Sequence, residues 1–183
     1  MERTLHLVLY DRAWPDRFAA EATQLRAALG AAAVAIEHVG STAVPGLAGK
    51  PVLDVAVAVT SAATADQGIP RLEALGYEYR GPYGEDPRRR YYVRDTHGVR
   101  TVQIHLYVLP AAAWCEKLAF RDALRADPAL AAAYAAEKYR VAEAVGWNKR
   151  AYSRTKGRFV ERVLAELRAG RRRELGACGP TPA

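Results

Sequence analysis

One segment constrains the fold more than any other. From Val52 to Val59 the chain reads VLDVAVAV, an almost unbroken run of Val, Leu and Ala. Both alternating sets of positions are apolar, which predicts a strand covered on both faces. Asp54 is the one break in the run. A carboxylate there is costly unless it is paired, hydrogen-bonded or bound to a metal. Just upstream, Val39 to Gly49 is a turn-rich segment with three glycines and a proline, and it opens on Gly40-Ser41-Thr42. Backbone N–H groups and a hydroxyl at a strand-to-turn junction can meet phosphate oxygens. Turn and carboxylate together put an anion binder beside a candidate cation ligand, the pairing that phosphoryl and nucleotidyl transfer require. The alternative is structural, with Asp54 capping a loop or pairing with an arginine.

Around this segment the pattern alternates between strands and helices. Leu5 to Tyr10 predicts an edge strand. Trp14-Pro15 opens a helix whose stripe of Trp14, Phe18, Ala22, Leu25 and Leu29 ends at Gly30. Ala33 to His38 predicts a strand, Ser61 to Leu75 a helix and Tyr77 to Arg80 another strand. Arg90 to Arg94 and Arg100 to Leu109 predict a hairpin. Beyond Pro110 the chain turns helical: Asp127-Pro128 starts one helix that Gly146 closes, and a last one runs from about Trp147 to Arg168. The expectation is an α/β (α+β) chain, a small mixed sheet flanked by helices with a helical C-terminal third. It reads as one domain over 1–170, with its sheet core about 1–110, its helical part about 111–170 and a flexible tail at 171–183.

Charge narrows the class of partner. The net charge is +7, and it is uneven. Lys138 to Arg158 holds seven basic residues against Glu143 alone, and Arg80 to Arg100 holds six arginines against Glu85, Asp86 and Asp95. Concentrated positive charge calls for an anionic partner. No apolar stretch approaches the roughly 20 residues of a membrane span. The N-terminus lacks a signal-peptide pattern, and Cys115 and Cys178 lack metal-ligand spacing. The expected setting is cytoplasmic, without membrane contact.

The run IEHVGSTAVPGLAGKPVLDVAVAV, Ile36 to Val59, resembles the signature of the GrpB family, which is also found fused to dephospho-CoA kinases. YDRAWPDRFAAEATQLRAAL, the RRRYY of Arg88 to Tyr92, the QIHLYV of Gln103 to Val108 and the stretch from Leu118 to Lys138 fit as well. The resemblance implies a nucleotidyltransferase-like fold in which Gly40-Ser41 is the glycine–serine turn and Asp54 the strand carboxylate. Nucleotidyltransferases usually carry a second acid two residues on, and here that position is Ala56.

Further candidates surround this pair. His105 shares a strand face with Gln103 and Tyr107 and is a candidate base or metal ligand. Glu37, Glu85 and Asp86 are the other candidates for a second ligand to magnesium at Asp54. Thr42 and Lys50 are expected at phosphate. Arg89 and Arg90, beside Tyr91, suit phosphate contact and ring stacking. Tyr152 and Lys156, four apart on one helix face, are expected with Lys138 to wall the cleft. His38 is read as bracing the Gly-Ser turn, and Arg121-Asp122 as an internal helix ion pair or as substrate contacts, with the pair taking a structural share. The leading reading is transfer of a nucleotidyl group from a nucleoside triphosphate such as ATP to a small-molecule acceptor. The alternative is a nucleotide- or phosphometabolite-binding protein without turnover. An RNA- or DNA-binding module ranks last, because no motif of those classes is present.

Overall fold

The computed structural model describes residues 4–84 and 86–170. Glu85 and the segment 171–183 read as a tail lie outside the described residues. The elements, in chain order, are α1 (Trp14–Leu29), β1 (Ala35–Val39), β2 (Leu53–Val59), α2 (Ala62–Gln67), α3 (Ile69–Ala74), β3 (Glu78–Pro82), β4 (Arg90–Thr96), β5 (Val99–Val108), α4 (Ala112–Ala126), α5 (Pro128–Ala144) and α6 (Lys149–Gly170). The sheet is mixed, with strand order β1-β2-β5-β4-β3. β2 is parallel to β5, and the other pairings are antiparallel. The apolar run of β2, broken only by Asp54, thus occupies an interior position, as its sequence predicts.

Strand alternation divides β2 between two environments. Leu53, Val55, Val57 and Val59 join Val102, Ile104, Leu106 and Tyr92 in a core closed by Trp14, Leu25 and Leu29 of α1 and Leu72 of α3. Each such fully buried aliphatic side chain contributes about 1.5–3 kcal/mol. The opposite face carries Asp54, Ala56 and Ala58, and Trp114 of α4 packs over the two alanines with Tyr107 and Val39. Small side chains at 56 and 58 make room for that indole. A third cluster joins α4, α5 and α6 through Leu124, Tyr134, Phe159 and Val163 to Val44 and Leu47, so the helical third grips the loop after Gly40-Ser41.

Local signals account for most element ends. The Asp127 carboxylate accepts from the backbone N–H groups of Ala129 and Leu130 and caps α5. Asn148 does the same for α6 through Arg150 and Ala151. Two sequence expectations change. Leu5 to Tyr10 is not a strand of the sheet: it makes isolated bridges from Thr4 to Asn148 and from Val8 to Gly49, so its backbone pairs with loops. The helix expected from Ser61 to Leu75 breaks into α2 and α3 at Gly68, because Pro70 fits only a first turn. Among the described residues no helix is long and apolar enough to cross a membrane.

Candidate functional site

The site is built on the second face of the sheet. Cα register sets Asp54 beside Gln103 and Ala56 beside His105 on β5, and His105 beside Tyr91 on β4. The side chains of Asp54, Gln103, His105 and Tyr91 therefore share one face. His105 Nε2 lies 3.6 Å from Asp54 Oδ1. On its other side, Arg89 Nη2 is 2.8 Å from His105 Nδ1. A guanidinium can only donate, so Nδ1 accepts and the ring proton sits on Nε2, facing Asp54. Burial, with Lys117 nearby, lowers the His105 pKa to about 4, so the ring is neutral. Both ring nitrogens are thus engaged. The base or metal-ligand role expected for His105 has no lone pair to use, because Arg89 occupies it.

The carboxylate sits under the Gly-Ser turn. Gly40 has φ +75, and a Cβ there would stand 3.0 Å from Asp54 Cβ and Cγ and closer still to Oδ2. Only glycine lets the turn cross the carboxylate this closely. His38 braces the turn through Thr42 Oγ1 at 2.9 Å and stacks on Phe18, as expected of it. Burial, then Arg125, lowers the His38 pKa to about 4. The Thr42 hydroxyl is therefore spent inside the fold. Lys138 is buried and donates to Ser41 Oγ at 3.1 Å and to the Ala48 carbonyl. It ties α5 to the turn, and burial, with Lys156 nearby, takes its pKa down to about 7.

Four cations act on this spot. Burial opposes the Asp54 charge, yet the His105 N–H, Lys117 and Lys50 outweigh it and hold the carboxyl below its usual range. Burial pushes the Lys50 and Lys117 ammonium groups down, and Asp54 is the largest influence keeping each charged. Lys156, set against burial by Tyr134 and Asp54, stays above its usual value and donates to Tyr134 Oη at 2.9 Å. Arg89 lies between the rings of Tyr83 and Tyr107, 4.9 and 4.7 Å from their centroids. Among the described residues its Nε is buried without a hydrogen-bond partner, an uncompensated cost. Tyr83 stacks on Tyr91 at 4.6 Å and is itself exposed.

Several expected residues go elsewhere. Arg90 points to the opposite sheet face, where it pairs with Asp66, because adjacent strand residues alternate. Tyr152 is buried with Leu5, Val141 and Ala142 and does not wall the cleft. Glu37 is neutralised by Arg121, which also bonds Asp122 and the His38 carbonyl. Asp86 pairs with Arg88 on an exposed loop. Glu85 lies outside the described residues. Lys117 is the residue that sequence reasoning missed. A signal was present: Trp114, Lys117, Arg121 and Leu124 follow helical spacing, and two basic residues on an inward stripe are unusual without an acidic partner.

Comparison with known proteins adds the family. The model of the GrpB protein family matches residues 4–166. The chain belongs to the GrpB family. A UPF0157 protein of Pseudomonas aeruginosa is 38% identical over 171 residues, covering 90% of this chain and 68% of that one. The crystal structure of GrpB from Enterococcus faecalis superposes with a TM-score of 0.78 at 32% identity, over 88% of this chain and 99% of that one. A dephospho-CoA kinase of Mycolicibacterium paratuberculosis is 40% identical over 76 residues, covering 40% of this chain and 19% of that one. A structure of the Cid1 poly(U) polymerase bound to MgATP matches with a TM-score of 0.51 at 19% identity, over 74% of this chain and 46% of that one. That likeness is one of fold: this GrpB chain has a nucleotidyltransferase-like α/β architecture.

The magnesium expected at Asp54 finds a poor donor set. Protein magnesium sites use one or two carboxylates with water and ligand phosphate in an octahedron. Among the described residues the site offers one carboxylate, with His105 Nε2–H facing its Oδ1 and Lys117 and Lys50 acting on it. Among the described residues no group of three His, Cys, Asp or Glu side chains can hold a metal ion. The residues present do not fit the ion.

Proposed function

We propose that this chain binds a nucleoside triphosphate in the cleft over Asp54, with its phosphates between the Gly40-Ser41 turn and Lys50, Lys117, Lys156 and Arg89. The observation that carries this reading is the charge balance around Asp54: among the described residues Lys50, Lys117 and Lys156 act on this one carboxylate, with Arg89 on His105 beside it. Among the described residues neither the Lys50 nor the Lys117 ammonium is held in a hydrogen bond or ion pair. Burial lowers the pKa of both, Asp54 offsets it only in part, and a bound anion would offset it further. Tyr83, exposed and stacked on Tyr91, offers a surface for the base.

Transfer of the nucleotidyl group to a small-molecule acceptor is the second reading. The fold shared with Cid1, whose structure contains MgATP, favours it, and the single carboxylate opposes it. Thermal-shift titration with ATP, CTP, GTP and UTP, each with and without magnesium chloride, tests binding. At a hundredfold excess over Kd a ligand stabilises the fold by about 2.7 kcal/mol. No change in melting temperature with any triphosphate at millimolar concentration would refute the reading.

A further inference from the structure

A phosphate chain bound beside Asp54 must have its charge neutralised, and the cleft already contains the means. In metal-dependent transfer, carboxylates gather divalent cations, and the cations bridge to the phosphates. Here the balance is inverted. The position two residues beyond Asp54 is Ala56, fully buried under Trp114, and the facing strand offers Gln103, which accepts from the Tyr91 hydroxyl. Neither supplies a charge that would attract a cation.

The positive side is correspondingly rich, and it comes from four separate elements. Lys50 precedes β2, Arg89 precedes β4, Lys117 lies on α4 and Lys156 on α6. Asp54 acts electrostatically on all three lysines. Arg89 is held on the far side of His105 from the carboxylate, 2.8 Å from its Nδ1. Among the described residues, a divalent ion entering this site meets these four cations and one carboxylate, whose Oδ1 faces the His105 Nε2–H. A polyanion meets attraction from every side.

We propose that the cleft takes its phosphate ligand as the metal-free anion, with Lys50, Lys117, Lys156 and Arg89 supplying the charge that divalent cations supply elsewhere. Asp54 is the fixed counter-ion that gathers these groups in the empty cleft. This rests on the phosphate-binding reading above, and its test separates the two.

Isothermal titration of the full chain with ATP and with inorganic tripolyphosphate, each in EDTA and in excess magnesium chloride, decides it. Both ligands bind in EDTA, and excess magnesium weakens each about tenfold, because the metal cancels ligand charge that the lysines would otherwise meet. Asp54→Asn, near isosteric, tightens binding in EDTA severalfold by removing a negative charge from the site. Lys117→Gln, which tests the same point should Asp54→Asn fail to fold, weakens it by about tenfold or more. Binding that is tighter in magnesium chloride than in EDTA overturns the metal-free proposal and leaves the nucleotide reading standing. So does loss of binding in a folded Asp54→Asn protein, or unchanged affinity in Lys117→Gln. Absence of binding by either ligand in either buffer overturns both.

Discussion

Replacing Gly40 with alanine should damage the protein in two separable ways. Gly40 has φ +75 and ψ −170, a region that only glycine occupies readily. Holding alanine there costs about 1–3 kcal/mol. The added methyl would also stand 3.0 Å from Asp54 Cβ and Cγ, inside ordinary contact distance. Overpacking of that kind costs about 1–3 kcal/mol more, so the total is about 2–6 kcal/mol. Gly46 supplies the control. Its φ is +76, but a Cβ there meets nothing within 4 Å, so Gly46→Ala carries the backbone cost alone, about 1–2 kcal/mol. Urea unfolding of both variants measures the difference, and thermal melting should show at least about 4 °C lost in Gly40→Ala. If Gly40→Ala loses no more than Gly46→Ala, the turn does not press on the carboxylate and the site geometry argued here is wrong.

Four further outcomes come from the same structure. Lys156→Gln should weaken triphosphate binding by about 1–3 kcal/mol and cost about 1 kcal/mol of stability through the lost Tyr134 bond. Tyr152→Phe should leave affinity unchanged, and a titration in which Tyr152→Phe is the weaker binder reverses the assignment. His38 and His105, each with its pKa lowered to about 4, favour the neutral ring in the folded state. Their contribution is present above the unfolded value near 6.5 and is lost as pH falls from there towards 4. Urea unfolding of His38→Gln from pH 7 to 4 should therefore show a shallower loss than the unmutated chain, by on the order of 2–3 kcal/mol, and identical slopes would contradict this. Finally, long-range proton–nitrogen NMR at pH 7 should show His105 protonated at Nε2 and bare at Nδ1, the reverse tautomer being incompatible with the Arg89 contact.

Much of the framework was legible because it obeys short-range rules. The β2 run, the Asp127 cap, the Gly146 stop and the β4–β5 hairpin are each written in a few adjacent residues. Asp54 was legible as an exception to its own pattern, and His105 was correctly placed on its face by alternation. The same period of two separates Arg90 from Arg89, so reading the two as one cluster neglected a rule already in hand. Tyr152 failed for another reason. Spacing puts it on one helix face with Lys156, but whether that face meets the cleft or the Leu5 segment depends on how α6 docks, which no local pattern encodes. Leu5 to Tyr10 has strand-like composition, yet its backbone finds partners at Gly49 and Trp147 instead of at a sheet edge. Lys117 approaches Asp54 only through the packing of α4 over Ala56 and Ala58. The lysines that act on Asp54 come from α4 and α6 as well as from the segment before β2, and no local pattern encodes how those helices dock.

The central claim, that phosphate groups bind over Asp54, is tested most directly by a crystal structure of the chain grown with saturating ATP in EDTA. Triphosphate density is expected between the Gly40-Ser41 turn and the ammonium groups of Lys50, Lys117 and Lys156, with Arg89 still on His105. Phosphates bound at another surface, or a cleft that stays empty at saturating ATP, would contradict it.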